Sequence, residues 1–283
     1  MTGCGLQGIF PSETSHYADI LLPGVTFAER TGTFTNTERR VQLFREAVPA
    51  TGNARPDWQI ISDVARRILS RQAKHTTGPQ ASWDYSHPSE IMDEIAALAP
   101  SYAGVSYERL ERGERLQWPV KDQDSSGTPI LHVGKFVRGR GRFHAVDHLP
   151  PDELVDEDYP LLLTTGRVLY HWHGGEMTRR SHVLLELCPE PVVEVSHEDA
   201  TRLGIEMGAP IQLQSRRGTM TAFASITERV SPGLVFANFH FPNGQNANVL
   251  TNAALDPVAK IPEYKVCAVR MQSMAATRES INQ

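Results

Sequence analysis

The residue types that could do chemistry crowd into one stretch, TTGRVLYHWHGGEMTRRS, residues 164–181. An apolar run at 161–164 leads into Gly166, and Arg167 follows at once. Then come His171, Trp172, His173, Gly174 and Gly175, and after them Thr178, Arg179 and Arg180. Glycines let backbone amides approach phosphate oxygens, and an arginine offers a planar donor fork for the same oxygens. The set suits an anionic, aromatic-bearing ligand such as a nucleotide. A solvated basic loop with a locally bonded histidine would use the same residues, and local chemistry leaves both readings open. His171 and His173 form an HxH pair, which would face one side if the segment were a strand. Glu176 is the only carboxylate close by, too few partners for a convincing metal set, so no metal ligand is expected.

Three other stretches are weaker alone. FHFPNGQNANVLTN, residues 239–252, packs Asn243, Gln245, Asn246, Asn248 and Asn252 together. Amides read heterocycle edges well, but asparagine-rich turns are common. In AKIPEYKVCAVRM, residues 259–271, Tyr264 and Lys265 precede an apolar run; the lysine can neutralise a phosphate or simply be exposed. AERTGTFTNTERRVQ, residues 28–42, holds Glu29, Asn36, Arg39 and Arg40 and reads locally as a charged surface loop. No Ser/His/Asp order or phosphate-binding P-loop is present, and no catalytic residue is expected.

The elements that must position these stretches change character along the chain. Residues 151–275 contain six short β-like runs: YPLLLTTG, PVVEVS, APIQLQS, TMTAFASIT, GLVFANF and KVCAVRM. One helix interrupts them, SHEDATRLG, with Ser196 as N-cap and Gly204 after its last turn. Short strands around one helix predict a closed β-barrel of mixed connectivity. Residues 1–75 read as an α/β segment. They hold strands at LQGIF and DILLP, a short helix at SETSHYA, and a clear helix over RPDWQIISDVARRILSRQ, where Ile60, Ile61, Val64, Ala65 and Ile68 recur at helical spacing. Residues 76–150 hold one short helix within HPSEIMDEIAALAPSYAG and turn-rich polar stretches, and read as a connecting region. Residues 276–283 form a polar tail.

The chain has 283 residues, 40% hydrophobic and 22% charged, enough for a real core. A net charge of -5 argues against bulk-charge binding of nucleic acid. No run of 18 apolar residues predicts a membrane span, and the start shows no secretory leader. Cys4, Cys188 and Cys267 are scattered, which fits reduced thiols in the cytoplasm and excludes a self-contained four-cysteine iron–sulfur site. Cys188 and Cys267 are expected in apolar strands as core residues.

In this order, ADILLPGVTFAERTGTFTNTERRVQ, RPDWQII, LQWPV, LLLTTGRVLYHWHGGEMTRRS and IPEYKVCAVR closely resemble the C-terminal part of molybdopterin-dependent oxidoreductases. They are most like the alpha subunit of formate dehydrogenases, with periplasmic-type nitrate reductases as near relatives. The resemblance covers residues 6–272. It implies molybdopterin guanine dinucleotide carrying Mo or W, two-electron oxidation of formate to CO2, and a double-psi barrel over 151–275 following a partial Rossmann-like segment. It implies cofactor contacts at Thr165, Gly166, Arg167, Val168, Leu169, Tyr170, His171, Trp172, His173, Thr178 and Arg179. Phe241, Asn248, Tyr264 and Lys265 follow, with Asp57 and the loop from Glu29 to Arg40 on the α/β side. The family's N-terminal Fe–S motif and its Cys or selenocysteine metal ligand have no match here. The chain is therefore expected to be a C-terminal portion, inactive alone, whose partner is the N-terminal part of the catalytic subunit or another formate dehydrogenase subunit. Strands in residues 6–73 should have unpaired edges. A non-catalytic pterin-dinucleotide-binding fragment and a piece of a nitrate reductase-like enzyme are the alternatives.

Overall fold

The computed structural model describes residues 3–72 and 82–274; the tail expected at 276–283 lies outside them. Residues 1–144 form one compact unit and residues 145–283 another.

In the first unit β1 (Gly5–Gly8) pairs in parallel with β2 (Ile20–Pro23). Between them the expected short helix is a single 3-10 turn, Glu13–Tyr17, which buries no residue. Five residues with no apolar face to dock cannot offset the cost of nucleating a longer helix. Ile20 and Leu21 of β2 are exposed. β3 (Gly32–Thr35) and β4 (Val41–Phe44) form an antiparallel hairpin. Its turn is closed by the Asn36 side chain, which accepts from the Arg40 amide at 2.9 Å. α1 (Asp57–Gln72) buries Ile60, while Ile61, Val64 and Ile68 remain largely exposed.

α2 (Pro88–Leu98) and α3 (Tyr107–Glu111) follow. Met92, Val105, Tyr107, Leu110, Leu116 and Val120 converge on Val41 of β4 in one apolar cluster. The region read as a connection from its turn-rich composition thus contributes to a core shared with the hairpin. Two arginines clamp it. Buried Arg109 donates to the carbonyls of Gly104 (2.5 Å) and Ser125 (2.9 Å) and to Glu114 (2.7 Å). Arg39 donates to the carbonyls of Trp118, Thr128 (3.1 Å) and Pro129 (2.9 Å).

The second unit is a closed six-stranded barrel. Its strands are β5 (Leu161–Gly166), β6 (Val192–Val195), β7 (Pro210–Gln214), β8 (Thr219–Ile226), β9 (Leu234–Asn238) and β10 (Cys267–Ser273), in the order β10-β5-β9-β6-β8-β7. β5 with β9 and β6 with β8 are parallel; the other pairs are antiparallel. The period of two in the sequence is the period of burial. Leu161, Leu163, Ile211, Leu213, Met220 and Val235 fill the interior between less buried neighbours, while in β10 Cys267, Ala268 and Val269 are buried in succession. α5 (His197–Leu203) lies between β6 and β7. Its Ser196 cap accepts from the Asp199 amide, and Gly204 ends it at φ +63°. A carboxylate latch ties residue 153 to the barrel: Glu153 accepts from the Ala268 amide (3.1 Å), Arg216 (2.7 Å) and Arg217 (2.7 Å).

Candidate functional site: the loop after the first barrel strand

β5 and β9 run in parallel and end together, Gly166 opposite Asn238. The two segments that leave these ends, residues 167–181 and 239–241, hold one another in place. Val168 donates its amide to His240 Nε2 at 2.9 Å, and His240 Nδ1 lies 2.5 Å from the His173 carbonyl. His240 therefore carries its proton on Nδ1, because Nε2 must accept. His171 is buried and fixed in the other tautomer: Nε2 faces the Cys188 carbonyl at 2.7 Å and Nδ1 faces the Thr178 hydroxyl at 3.2 Å. That hydroxyl accepts from the Trp172 amide at 3.1 Å, so its own proton goes to His171. Phe241 closes the cluster, edge-on to His171 with ring centroids 5.3 Å apart.

Gly175 sits at φ +73°, where a Cβ would lie 2.7 Å from Arg179 Nε and 2.8 Å from the His240 carbonyl. The tight turn presses Arg179 inward. Its Nε is buried without a partner, and burial, with Arg180 nearby, lowers the guanidinium pKa. A buried donor without an acceptor is costly, and an anion at this loop would supply one. Arg167 is exposed, its guanidinium 5.9 Å from the Trp172 ring centre and 5.8 Å from that of Phe239. Arg167, Val168, Leu169 and Tyr170 line a cleft of about 730 Å³ together with Val192, Glu194, Arg229 and Phe236.

The strand that closes the barrel brings in the last stretch. Thr165 donates its hydroxyl to the Tyr264 carbonyl at 2.7 Å, and Lys265 Nζ donates to the Thr165 carbonyl at 2.5 Å. The structure thus joins Thr165, Gly166, Arg167, Val168, His171, Trp172, His173, Thr178, Arg179, Phe241, Tyr264 and Lys265 through direct contacts or a shared turn, with Leu169 and Tyr170 on the cleft wall. Asn248 is not bonded to this loop. It is exposed on the 3-10 turn Ala247–Val249, with its amide held by Asn246 and its carbonyl by Thr251.

Asp57 belongs to the first unit. It opens α1 beside the ends of β1 and β2 and accepts from Gln7 Nε2 at 2.6 Å. Glu29 accepts from the Thr26 amide at 2.8 Å and from the Thr51 amide and hydroxyl, each at 3.0 Å, and these bonds hold its carboxyl below the usual range.

His171 and His173 lie in a loop and not a strand, the first buried and the second exposed. One expectation is corrected. Cys188 is not in a strand. It caps α4 (His182–Leu187), because Pro189 and Pro191 stop any strand from starting there. Among the described residues no three His, Cys, Asp or Glu side chains gather to hold a metal. His240 and the Glu153 latch escaped sequence reasoning. The only hint of His240 was a titratable residue between Phe239 and Phe241.

Residues 161–268 match the molydopterin dinucleotide binding domain family, and residues 5–67 match the molybdopterin oxidoreductase family. The chain is 45% identical over 271 residues to the F420-dependent formate dehydrogenase 2 subunit alpha of Methanococcus maripaludis, covering 95% of this chain and 38% of that protein. It is 45% identical over 269 residues to the F420-dependent formate dehydrogenase subunit alpha of Methanocaldococcus jannaschii, covering 94% of this chain and 38% of that one. Among solved structures, acetylene hydratase from Pelobacter acetylenicus matches in fold with a TM-score of 0.61 at 15% identity, over 90% of this chain and 38% of its own. The chain spans less than two fifths of the length of these proteins.

Proposed function

We propose that this chain, in which residues 161–268 and 5–67 match the molydopterin dinucleotide binding domain and molybdopterin oxidoreductase families, is the dinucleotide-holding portion of a formate dehydrogenase alpha subunit. Its barrel, read as double-psi, would hold molybdopterin guanine dinucleotide, and the first unit is read as the remainder of a Rossmann-like domain. The observation that carries the reading is the loop after β5, where a glycine turn packs against a half-buried arginine with an unpartnered Nε, and the exposed Arg167 of the same loop lines a cleft.

The residues fit such a group. Its phosphates need donors, and Arg167, Arg179, Lys265 and loop amides supply them, each charge-assisted bond contributing about 1.5–3 kcal/mol. Trp172 and Tyr170 offer flat apolar surface beside the cations. His171 and Thr178 orient the loop through their paired hydrogen bonds, and Thr165 ties the loop to the Tyr264–Lys265 segment. When bound, the pterin's Mo or W supplies the two-electron chemistry that takes formate to CO2. This chain's part is to bind and orient the organic portion of the cofactor.

Turnover then requires the N-terminal part of the catalytic subunit or another formate dehydrogenase subunit, with its Fe–S centre, in a cytoplasmic complex. The chain alone is expected to be inactive in formate-dependent dye reduction. The test is Arg167→Ala in the complete enzyme, with molybdenum and pterin content measured after purification. Retention falls about tenfold or more if one charge-assisted bond is lost. Unchanged metal content refutes the assignment.

A further inference from the structure

We infer that His240 is a positioning residue for the dinucleotide loop, acting as a neutral two-ended clasp that sets the span between Val168 and His173. The inference rests on the reading that residues 165–173 hold the dinucleotide, and adds to it a residue that itself faces no ligand. His240 is fully buried. One ring nitrogen takes the Val168 amide and the other gives its proton to the His173 carbonyl. The two groups lie five residues apart in the segment that displays Leu169, Tyr170 and Trp172. A single rigid ring fixes both ends of that segment, so its exposed side chains need not be ordered by the ligand. Preorganisation of this kind strengthens binding without adding a contact.

The surroundings enforce the neutral form. Burial lowers the His240 pKa, the bond to the His173 carbonyl opposes this, and His171, Arg167 and His173 lower it further. The His171 ring lies 5.8 Å away and the Phe239 ring 5.1 Å away, and the His240 carbonyl packs against the turn that carries Arg179. The titratable groups that act on His240 are the cation Arg167 and the imidazoles His171 and His173. An imidazolium here would turn Nε2 into a donor facing the Val168 donor, so one end of the clasp would open.

The substitutions that separate a clasp from a core filler are H240Q and H240L. Glutamine can place its amide oxygen near the Nε2 position and accept from Val168. Leucine fills much of the volume with no polar atom. The measurements on the full chain are the imidazole nitrogen shifts, hydrogen exchange of the Val168 amide, thermal melting, and binding of oxidised, fluorescent molybdopterin guanine dinucleotide. Wild type is expected to show an unprotonated Nε2, a protonated Nδ1 and a protected Val168 amide. H240L should lose that protection and bind about tenfold more weakly, the size of one lost hydrogen bond. H240Q should recover both in part, at a melting temperature like that of H240L. Equal binding by H240L and wild type overturns the inference, as does an equal fall in H240Q and H240L. A wild type that takes up no dinucleotide while its Val168 amide is protected refutes the cofactor reading instead. The exchange of Val168 in H240L still decides the clasp: protection kept overturns it, protection lost upholds it.

Discussion

Gly175→Ala measures how tightly the loop after β5 is built, and Gly204→Ala supplies the internal control. Both glycines have left-handed backbone, φ +73° and φ +63°. An alanine in that region costs roughly 1–2 kcal/mol. At Gly204 nothing lies within 4 Å of the added methyl, so strain is the whole effect. At Gly175 the methyl would meet Arg179 Nε at 2.7 Å, the His240 carbonyl at 2.8 Å and Arg179 Cδ at 3.0 Å. The carbonyl is backbone and cannot step aside cheaply, and overpacking of this kind adds roughly 1–3 kcal/mol. The sum at Gly175 is roughly 2–5 kcal/mol. In a unit of this size each kcal/mol moves Tm by about 3–5 °C. Calorimetry should show the Gly175 variant losing about twice as many degrees as the Gly204 variant. Dinucleotide retention should fall only in the former. Equal losses of Tm would show that the loop yields freely around residue 175, and the argument from a rigid turn would fail.

The remaining expectations concern the rest of the barrel. Burial raises the Asp199 carboxyl, but Arg202, the Gly233 amide and the Ser196 hydroxyl outweigh it, and the net value lies below the ordinary one. Its stabilisation is therefore fully present above about pH 4 and disappears as pH falls through the lower native value. Asp199→Asn should cost about 2 kcal/mol near neutrality and flatten urea-unfolding stability between about pH 5 and pH 3; an unchanged pH slope would contradict this. Cys267 is buried in β10, and burial, opposed by Arg217 and aided by Glu153, pushes its thiol up to about 11. Iodoacetamide at mildly alkaline pH should label exposed Cys4 at once and Cys267 only after unfolding. Peptide mass spectrometry showing early label on Cys267 would contradict the closed barrel.

What was legible in the sequence follows the range of the forces. The six barrel strands could be read because alternation along LLLTTG, PIQLQ or TMTAFASI is a local consequence of one buried face. The α5 cap could be read because Ser196 and Asp199 are three residues apart and bond directly. The loop chemistry was legible in residue type but not in geometry. Nothing in LYHWHGG shows that His171 turns inward to Cys188 while His173 stays exposed, since both partners lie outside the motif. The elements that escaped are those whose partners are remote. Arg39 reaches carbonyls 79 to 90 positions away, and Glu153 reaches the amide of Ala268, 115 positions on. His240 belongs to that class, with its contacts at 67 and 72 positions. The two His240 bonds require the closed barrel, which sets β5 and β9 side by side. Placing β9 beside β5 is thus what converts a common histidine into the clasp of the loop, and disrupting that pairing should release Val168 and His173 together, not one at a time.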